Sequence, residues 1–204
     1  MPDYSFEEQL HADGYISVCG VDEAGRGPLA GPVCAAAVIL DEGCEIEGLN
    51  DSKKLTEKKR EELFSVIKEK AVAYSIAFAL VEEIEAFNIL NATYLAMKRA
   101  IDGLNIKPDF AIIDGNRLPT DIKVSAVPLI KGDMKSMSVA AASVLAKVSR
   151  DRLMLEYDKE YPEYNFKKHK GYPTKDHMEA ILAHGHCPAH RVSFLKKVYE
   201  RAKK

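Results

Sequence analysis

The chain has 204 residues, is 47% hydrophobic and 29% charged, and carries a net charge of −2. That suffices for one medium domain with a closed core and is unlike a disordered chain. No apolar run approaches the ~20 residues of a membrane helix, and the polar, acidic start from Met1 to Leu10 lacks the basic and apolar regions of a secretory signal. A cytoplasmic protein without membrane association is expected. Cys19, Cys34, Cys44 and Cys187 show no paired spacing, which argues against a disulfide framework or a zinc site.

Met1 to Gly14 reads as a polar lead-in and Tyr15 to Val21 as a first strand. This strand runs into Asp22-Glu23-Ala24-Gly25-Arg26-Gly27-Pro28, two adjacent carboxylates followed by a glycine-flanked arginine. Val33 to Leu40 is a nearly continuous apolar run, as expected of a strand covered on both faces. After a turn at Asp41 to Gly48 comes the polar, basic Asn50-Asp51-Ser52-Lys53-Lys54. A helix is expected from Thr56, its N-cap, to Lys70, with Leu63, Phe64 and Ile67 inward.

Ala71 to Val81 alternates between large residues (Val72, Tyr74, Ile76, Phe78, Leu80) and small ones (Ala73, Ser75, Ala77, Ala79), a strand whose small side lets a helix approach closely. Helical spacing runs from Ile84 to Leu104 through Ile89, Leu90, Tyr94, Met97 and Ile101, with Gly103 near its end. Phe110 to Ile113 is a compact strand ending in Asp114-Gly115-Asn116. Lys123 to Leu129 is another strand, followed by Ile130-Lys131-Gly132-Asp133. A long helix is expected over Ser136 to Asp158, then loops and two helices over Thr174 to His184 and Val192 to Lys203. Three early strands followed by strand–helix alternation imply an α/β protein with a mixed sheet flanked by helices. Residues 1–160 read as the core, and 161–204 as a basic helical segment: from Tyr164 onward there are ten Lys/Arg against three Asp/Glu. Such a segment suits contact with a polyanion, and equally a solvated helical surface.

Asp22, Glu23, Asp114 and Asp133 fall at or just beyond the C-terminal ends of apolar strands, where an open α/β sheet binds ligands. Four oxygen donors without matching histidines suit Mg²⁺ or Mn²⁺ rather than zinc. Each Asp-Gly or Gly-Asp pair taken alone is also ordinary turn chemistry. Consecutive strand residues point to opposite faces, so Asp22 and Glu23 share a site only if the strand ends or bulges there. Gly25 and Gly27 leave the backbone uncovered around Arg26, so a sugar or phosphate can come close to its amides.

The motifs Gly20-Val21-Asp22-Glu23-Ala24-Gly25-Arg26-Gly27-Pro28, Asn50 to Leu55, Ile113 to Asn116, Lys131 to Asp133, Ala140 to Val148 and His169-Lys170-Gly171-Tyr172-Pro173-Thr174 together resemble type 2 ribonuclease H, over about Tyr15 to Phe194. The resemblance implies a ribonuclease H-like fold with a C-terminal helical segment that completes the substrate groove. It implies hydrolysis of RNA paired with or joined to DNA, with cleavage 5′ of a ribonucleotide to leave 3′-hydroxyl and 5′-phosphate ends, and roles in ribonucleotide and RNA primer removal. By position it makes Asp22, Glu23, Asp114 and Asp133 the catalytic, metal-binding set for two ions. Gly25, Arg26, Gly27 and Tyr172 become the groups that recognise the 2′-hydroxyl, the feature that separates RNA from DNA at one nucleotide.

Lys53, Ser143 and Lys147 are candidate phosphate contacts, although Lys147 could instead pair with Asp151 one helical turn away. His169 is read as structural or as an aid to the Tyr172 loop; His177, His184, His186 and His190 are read as structural or exposed. A monomer is expected. The alternatives are another two-metal nuclease on the same fold and a non-catalytic hybrid-binding module, the latter disfavoured because it has no need of four carboxylates beside a polyanion.

Overall fold

A computed structural model describes residues 1–201. Its sheet has five strands in the order β3-β2-β1-β4-β5: β1 (Val18–Ala24), β2 (Val33–Ile39), β3 (Ala73–Ala79), β4 (Phe110–Asp114) and β5 (Ser125–Leu129). β1, β2 and β3 pair antiparallel, whereas β1 with β4 and β4 with β5 are parallel. The expected mixed sheet is therefore observed, with the C-terminal ends of β1, β4 and β5 along one edge.

Among the described residues seven helices surround it: α1 (Ser5–Ala12), α2 (Glu57–Lys70), α3 (Val81–Asp102), α4 (Met137–Glu160), α5 (Phe166–His169), α6 (Lys175–His184) and α7 (Lys196–Arg201). No helix among the described residues is long and apolar enough to cross a membrane. Thr56 and Ser136 cap α2 and α4 by accepting from Lys59 N and Val139 N.

One face of the sheet meets α3. There Ala73 and Ala79 of β3 pack with Ala92, Ala96 and Ala100, so the small side of β3 does admit a close helix. The other face carries α2 and α4, with Cys34, Ala36 and Val38 against Leu63, Phe64, Ile67 and the buried stretch Ala140 to Ala146. Contact is tightest at Gly20, where a Cβ would lie 2.2 Å from the Val139 backbone nitrogen; only glycine lets α4 sit this close to β1. A further cluster joins Leu29, Ala30 and Met154 to Tyr164, Phe166, Ile181, Cys187, Ala189, Leu195 and Val198, tying the C-terminal segment to the loop after β1 and to the far half of α4.

Several boundaries differ from expectation. The lead-in forms α1, held by Glu7, whose buried Oε1 accepts from Ser136 Oγ, Ser138 N and Ser138 Oγ. β1 starts at Val18 because the Asp109 carboxylate takes the Ile16 and Ser17 amides into a loop. It continues to Ala24 because β2 pairs with it in unbroken register, Asp22↔Ala36 and Glu23↔Ala35 included. β5 begins at Ser125 rather than Lys123. α3 begins at Val81 and is interrupted at Asn88 (φ 65°), whose Oδ1 accepts from Leu90 N and Asn91 N and so restarts the helix. The expected last helix becomes a 3-10 turn at Val192–Phe194 and then α7; its expected end, residues 202–203, lies outside the described residues.

Candidate active site

Asp22, Glu23 and Asp114 each place a carboxylate oxygen within 4.8 Å of the others. The strand neither ends nor bulges at Asp22-Glu23; instead, β4 stops. Its pairing with β1 reaches only Val21↔Ile113, so beyond that point β1 has a free edge on the β4 side. Carboxylates from either face of β1 can swing over this edge and meet Asp114, the last residue of β4. Asp22 Oδ1 is turned back by the Glu23 amide at 2.7 Å. Asp114 Oδ1 accepts from Gly132 N at 2.7 Å, which ties the end of β4 to the turn carrying Asp133. Asp133 is buried in the 3-10 turn Gly132–Met134, beside this trio and not within it.

The four carboxylates oppose one another. Burial, then Glu23 and Asp114, raise the pKa of Asp22 well above 3.8. Glu23 is raised by burial and by Asp114, against the lowering pull of Arg26. Asp133 is raised by burial, Asp114 and Asp51, against Lys53. Two cations lie close by: Arg26 Nη1 is 3.4 Å from Glu23 Oε1, and Lys53 Nζ is 3.9 Å from Asp133 Oδ2. Burial opposes the charge of Lys53, yet Asp22, Asp133, Asp51 and Asp114 hold its pKa above the usual value. Buried oxygen donors repelling in this way, with no histidine among them, fit hard divalent cations.

Directly after the acidic pair, the Gly25–Pro32 segment is wrapped around two buried arginines. Arg191 donates to the carbonyls of Gly25 (2.6 Å), Arg26 (3.0 Å), Pro28 (2.9 Å) and Gly31 (2.8 Å). Arg150 donates to Ala30 (2.9 Å), Pro32 (3.0 Å) and Lys170 (3.0 Å). Carbonyl dipoles replace water around both guanidinium groups. Burial and Arg150 push the pKa of Arg191 down to about 9, so it remains a cation at neutral pH. Gly25 has φ +101°, and a Cβ there would meet Arg150 Nε at 2.1 Å. Gly27 faces Tyr172, whose Cε1 lies 3.8 Å from where a Cβ would be. Tyr172 is 41% exposed, with Lys147 Nζ and Arg150 near its ring face at 5.8 and 6.0 Å.

A family model described as Ribonuclease HII matches residues 19–197. The chain belongs to the ribonuclease HII family. It is 56% identical over 193 residues to ribonuclease HII of Clostridioides difficile, covering 95% of this chain and 75% of that protein. It is 53% identical over 195 residues to the Caldicellulosiruptor bescii protein of the same name, covering 96% and 94%. The crystal structure of ribonuclease H2 from Pyrococcus horikoshii superposes with a TM-score of 0.74 at 30% identity, covering 93% of this chain and all of that one. The fold is ribonuclease H-like, and the protein is a hydrolase acting on RNA in RNA–DNA hybrids.

The remaining candidate residues of this ribonuclease HII family member fall into two groups. Lys53 is exposed and reaches the acidic cluster from a loop pinned by Arg60, which donates to the Ser52 and Leu55 carbonyls. Ser143 is buried in α4; its hydroxyl pairs with Ser52 Oγ at 2.8 Å and slightly lowers the Asp22 pKa against the larger effect of burial. The residue is 3% exposed, set back from solvent. Lys147 pairs with Asp151 at 2.7 Å, and Arg60 approaches the same carboxylate at 3.9 Å.

Arg150 and Arg191 carry no signal in the sequence, and neither does the place of Asp51, within the Asn50 to Leu55 motif, beside Asp133. The basic C-terminal segment is less free than its charge suggests: Lys167, Lys168, Lys170 and Lys175 lie against Asp158, Asp176, Glu57 and Glu179, and Arg191 is internal. The Lys168–Asp176 and Lys175–Glu179 pairs are solvent-exposed and screened, so they hold these side chains only weakly.

Proposed function

We propose that this enzyme cuts the phosphodiester on the 5′ side of a ribonucleotide, within a hybrid or singly embedded in duplex DNA, leaving 3′-hydroxyl and 5′-phosphate ends. The supporting observation is the convergence of Asp22, Glu23 and Asp114 within 4.8 Å at the mouth of the Gly25–Pro32 loop. Asp22, Glu23, Asp114 and Asp133 would hold two Mg²⁺ or Mn²⁺ ions. Such ions, when bound, lower the pKa of water and offset the charge that builds on the phosphodiester.

The chain's own groups do the placing. Backbone amides around Gly25, Arg26 and Gly27, together with Tyr172, contact the 2′-hydroxyl and its sugar; Lys53 and Lys147 meet flanking phosphates. Residues 161–204 complete the groove by presenting Tyr172, and the chain acts as a monomer. Removal of misincorporated ribonucleotides and of RNA primers is the role this chemistry suits.

The decisive experiment is cleavage of a duplex carrying one ribonucleotide beside an all-DNA duplex, with Mg²⁺ and with Mn²⁺, mapping the cut. Incision 5′ of the ribonucleotide alone is expected; equal cleavage of both duplexes would leave a nuclease indifferent to the sugar and remove this reading.

A further inference from the structure

Tyr172 is fixed from behind by a chain of buried histidines whose proton positions the geometry assigns. The Cys187 amide donates to His190 Nδ1 at 3.1 Å. An amide only donates, so Nδ1 is an acceptor and neutral His190 carries its hydrogen on Nε2. That nitrogen lies 3.1 Å from His177 Nε2, which must therefore accept. His177 then carries its hydrogen on Nδ1, 2.9 Å from the Tyr172 carbonyl. The same reasoning holds beside the chain: Gly171 N donates to His169 Nδ1 at 3.2 Å, so His169 Nε2 donates to the Tyr164 carbonyl at 2.9 Å.

A second proton on His190 would set its Nδ1 against the Cys187 amide, and one on His177 would set two Nε2–H groups against each other. His177 and His190 are 0% and 2% exposed. They pack against Phe166, with His169 stacked on His177 at 4.4 Å and Tyr164 edge-on to His190 at 4.6 Å. Burial lowers the pKa of both to about 4, in keeping with neutral rings. At the other end, Gly171 leaves no room for a side chain, since a Cβ would meet the Ala30 carbonyl at 2.7 Å, and its own carbonyl accepts from Leu29 N.

We propose that His177 and His190 are positioning residues for ribonucleotide recognition, a one-way hydrogen-bond chain that sets Tyr172 against the Gly25-Arg26-Gly27 loop. The proposal deepens the reading of Tyr172 as a sugar contact and rests on it. Neither histidine touches substrate; each acts by removing freedom from the residue that does. Loosening Tyr172 should therefore weaken substrate placement while leaving the acidic cluster intact.

Two measurements test it. In two-bond ¹H–¹⁵N spectra of histidine-labelled wild-type protein at neutral pH, His177 should appear as the Nδ1–H tautomer and His190 as Nε2–H; a His177 protonated on Nε2 overturns the chain. The second compares His177→Asn, whose amide can donate from near the Nδ1 position, with His177→Gln, whose amide reaches the Nε2 position instead. Loss of one hydrogen bond should raise KM for the one-ribonucleotide duplex roughly three- to tenfold in His177→Gln with kcat within about twofold, and His177→Asn should restore most of it. Equal KM in the two variants and wild type, or a change confined to kcat, overturns the positioning role. Wild-type enzyme indifferent to the ribonucleotide would overturn the proposed function and the recognition role together, whereas wild-type preference with an unchanged His177→Gln overturns the histidine role alone.

Discussion

Asp114 combines a structural bond with a place in the acidic cluster: it accepts the Gly132 amide at 2.7 Å and also converges with Asp22 and Glu23. An Asn at this position keeps an acceptor oxygen for Gly132 and removes the charge. Asp114→Asn should therefore fold normally and retain nucleic-acid affinity, while metal-dependent cleavage falls by more than about a hundredfold, beyond what is lost when only a ligand's supporting partner is removed. Single-turnover cleavage beside a binding assay checks this, and near-normal turnover would dissociate the cluster from the reaction. Asp22 and Glu23 are less clean targets. Asp22 also engages the Glu23 amide, and Glu23 engages Arg26, so their replacement mixes loss of charge with loss of local order.

The Gly25–Pro32 loop is an element without a ladder of its own; Arg150 and Arg191 give it shape. A Lys at position 191 has one ammonium in place of a fork and cannot reach the four carbonyls at once. Arg191→Lys should lower stability by about 2–4 kcal/mol through unsatisfied buried carbonyls, read by urea denaturation, and raise KM for the ribonucleotide duplex. Neither arginine could be found from sequence, because backbone carbonyls leave no compositional trace; Arg150 reads as one more charge on α4 and Arg191 as part of a basic tail. Glu7 escaped for a related reason, since Ser136 and Ser138 lie across the sequence from it. The elements that were legible are those with period or a cap: α2 behind Thr56, the long α4, and the two-sided β3. Carboxylates at strand ends were also legible, because topology brings strand ends together. How Asp22 and Glu23 share a site was not, because the answer lies in the length of β4, and Asn88 went unseen because apolar spacing runs through the break.

Across the whole molecule, two buried groups of titrating residues pull stability in opposite directions with pH. His177 and His190 have pKa values lowered from 6.5 to about 4, so the unfolded chain binds more protons between those limits. Their contribution is complete above about pH 6.5 and is lost as pH falls toward 4. Asp22, Glu23 and Asp133 are raised above 3.8, 4.5 and 3.8, so the folded chain binds more protons above those values and the metal-free protein loses stability there as pH rises. A divalent cation reverses the second trend alone, because it binds the ionised carboxylates and must displace their protons. At a hundredfold excess over its Kd, Mg²⁺ should add about 2.7 kcal/mol, or roughly 5–10 °C in Tm for a chain of this size. The gain should be present at pH 8 and shrink as pH falls into the raised titration range of these carboxylates, while the histidine-dependent acid limb stays unchanged with or without the ion. Melting curves across pH with Mg²⁺ and with chelator separate the two groups. Asp114→Asn should abolish the Mg²⁺ gain and leave the acid limb in place; a gain that survives in Asp114→Asn would put the cation elsewhere on the protein.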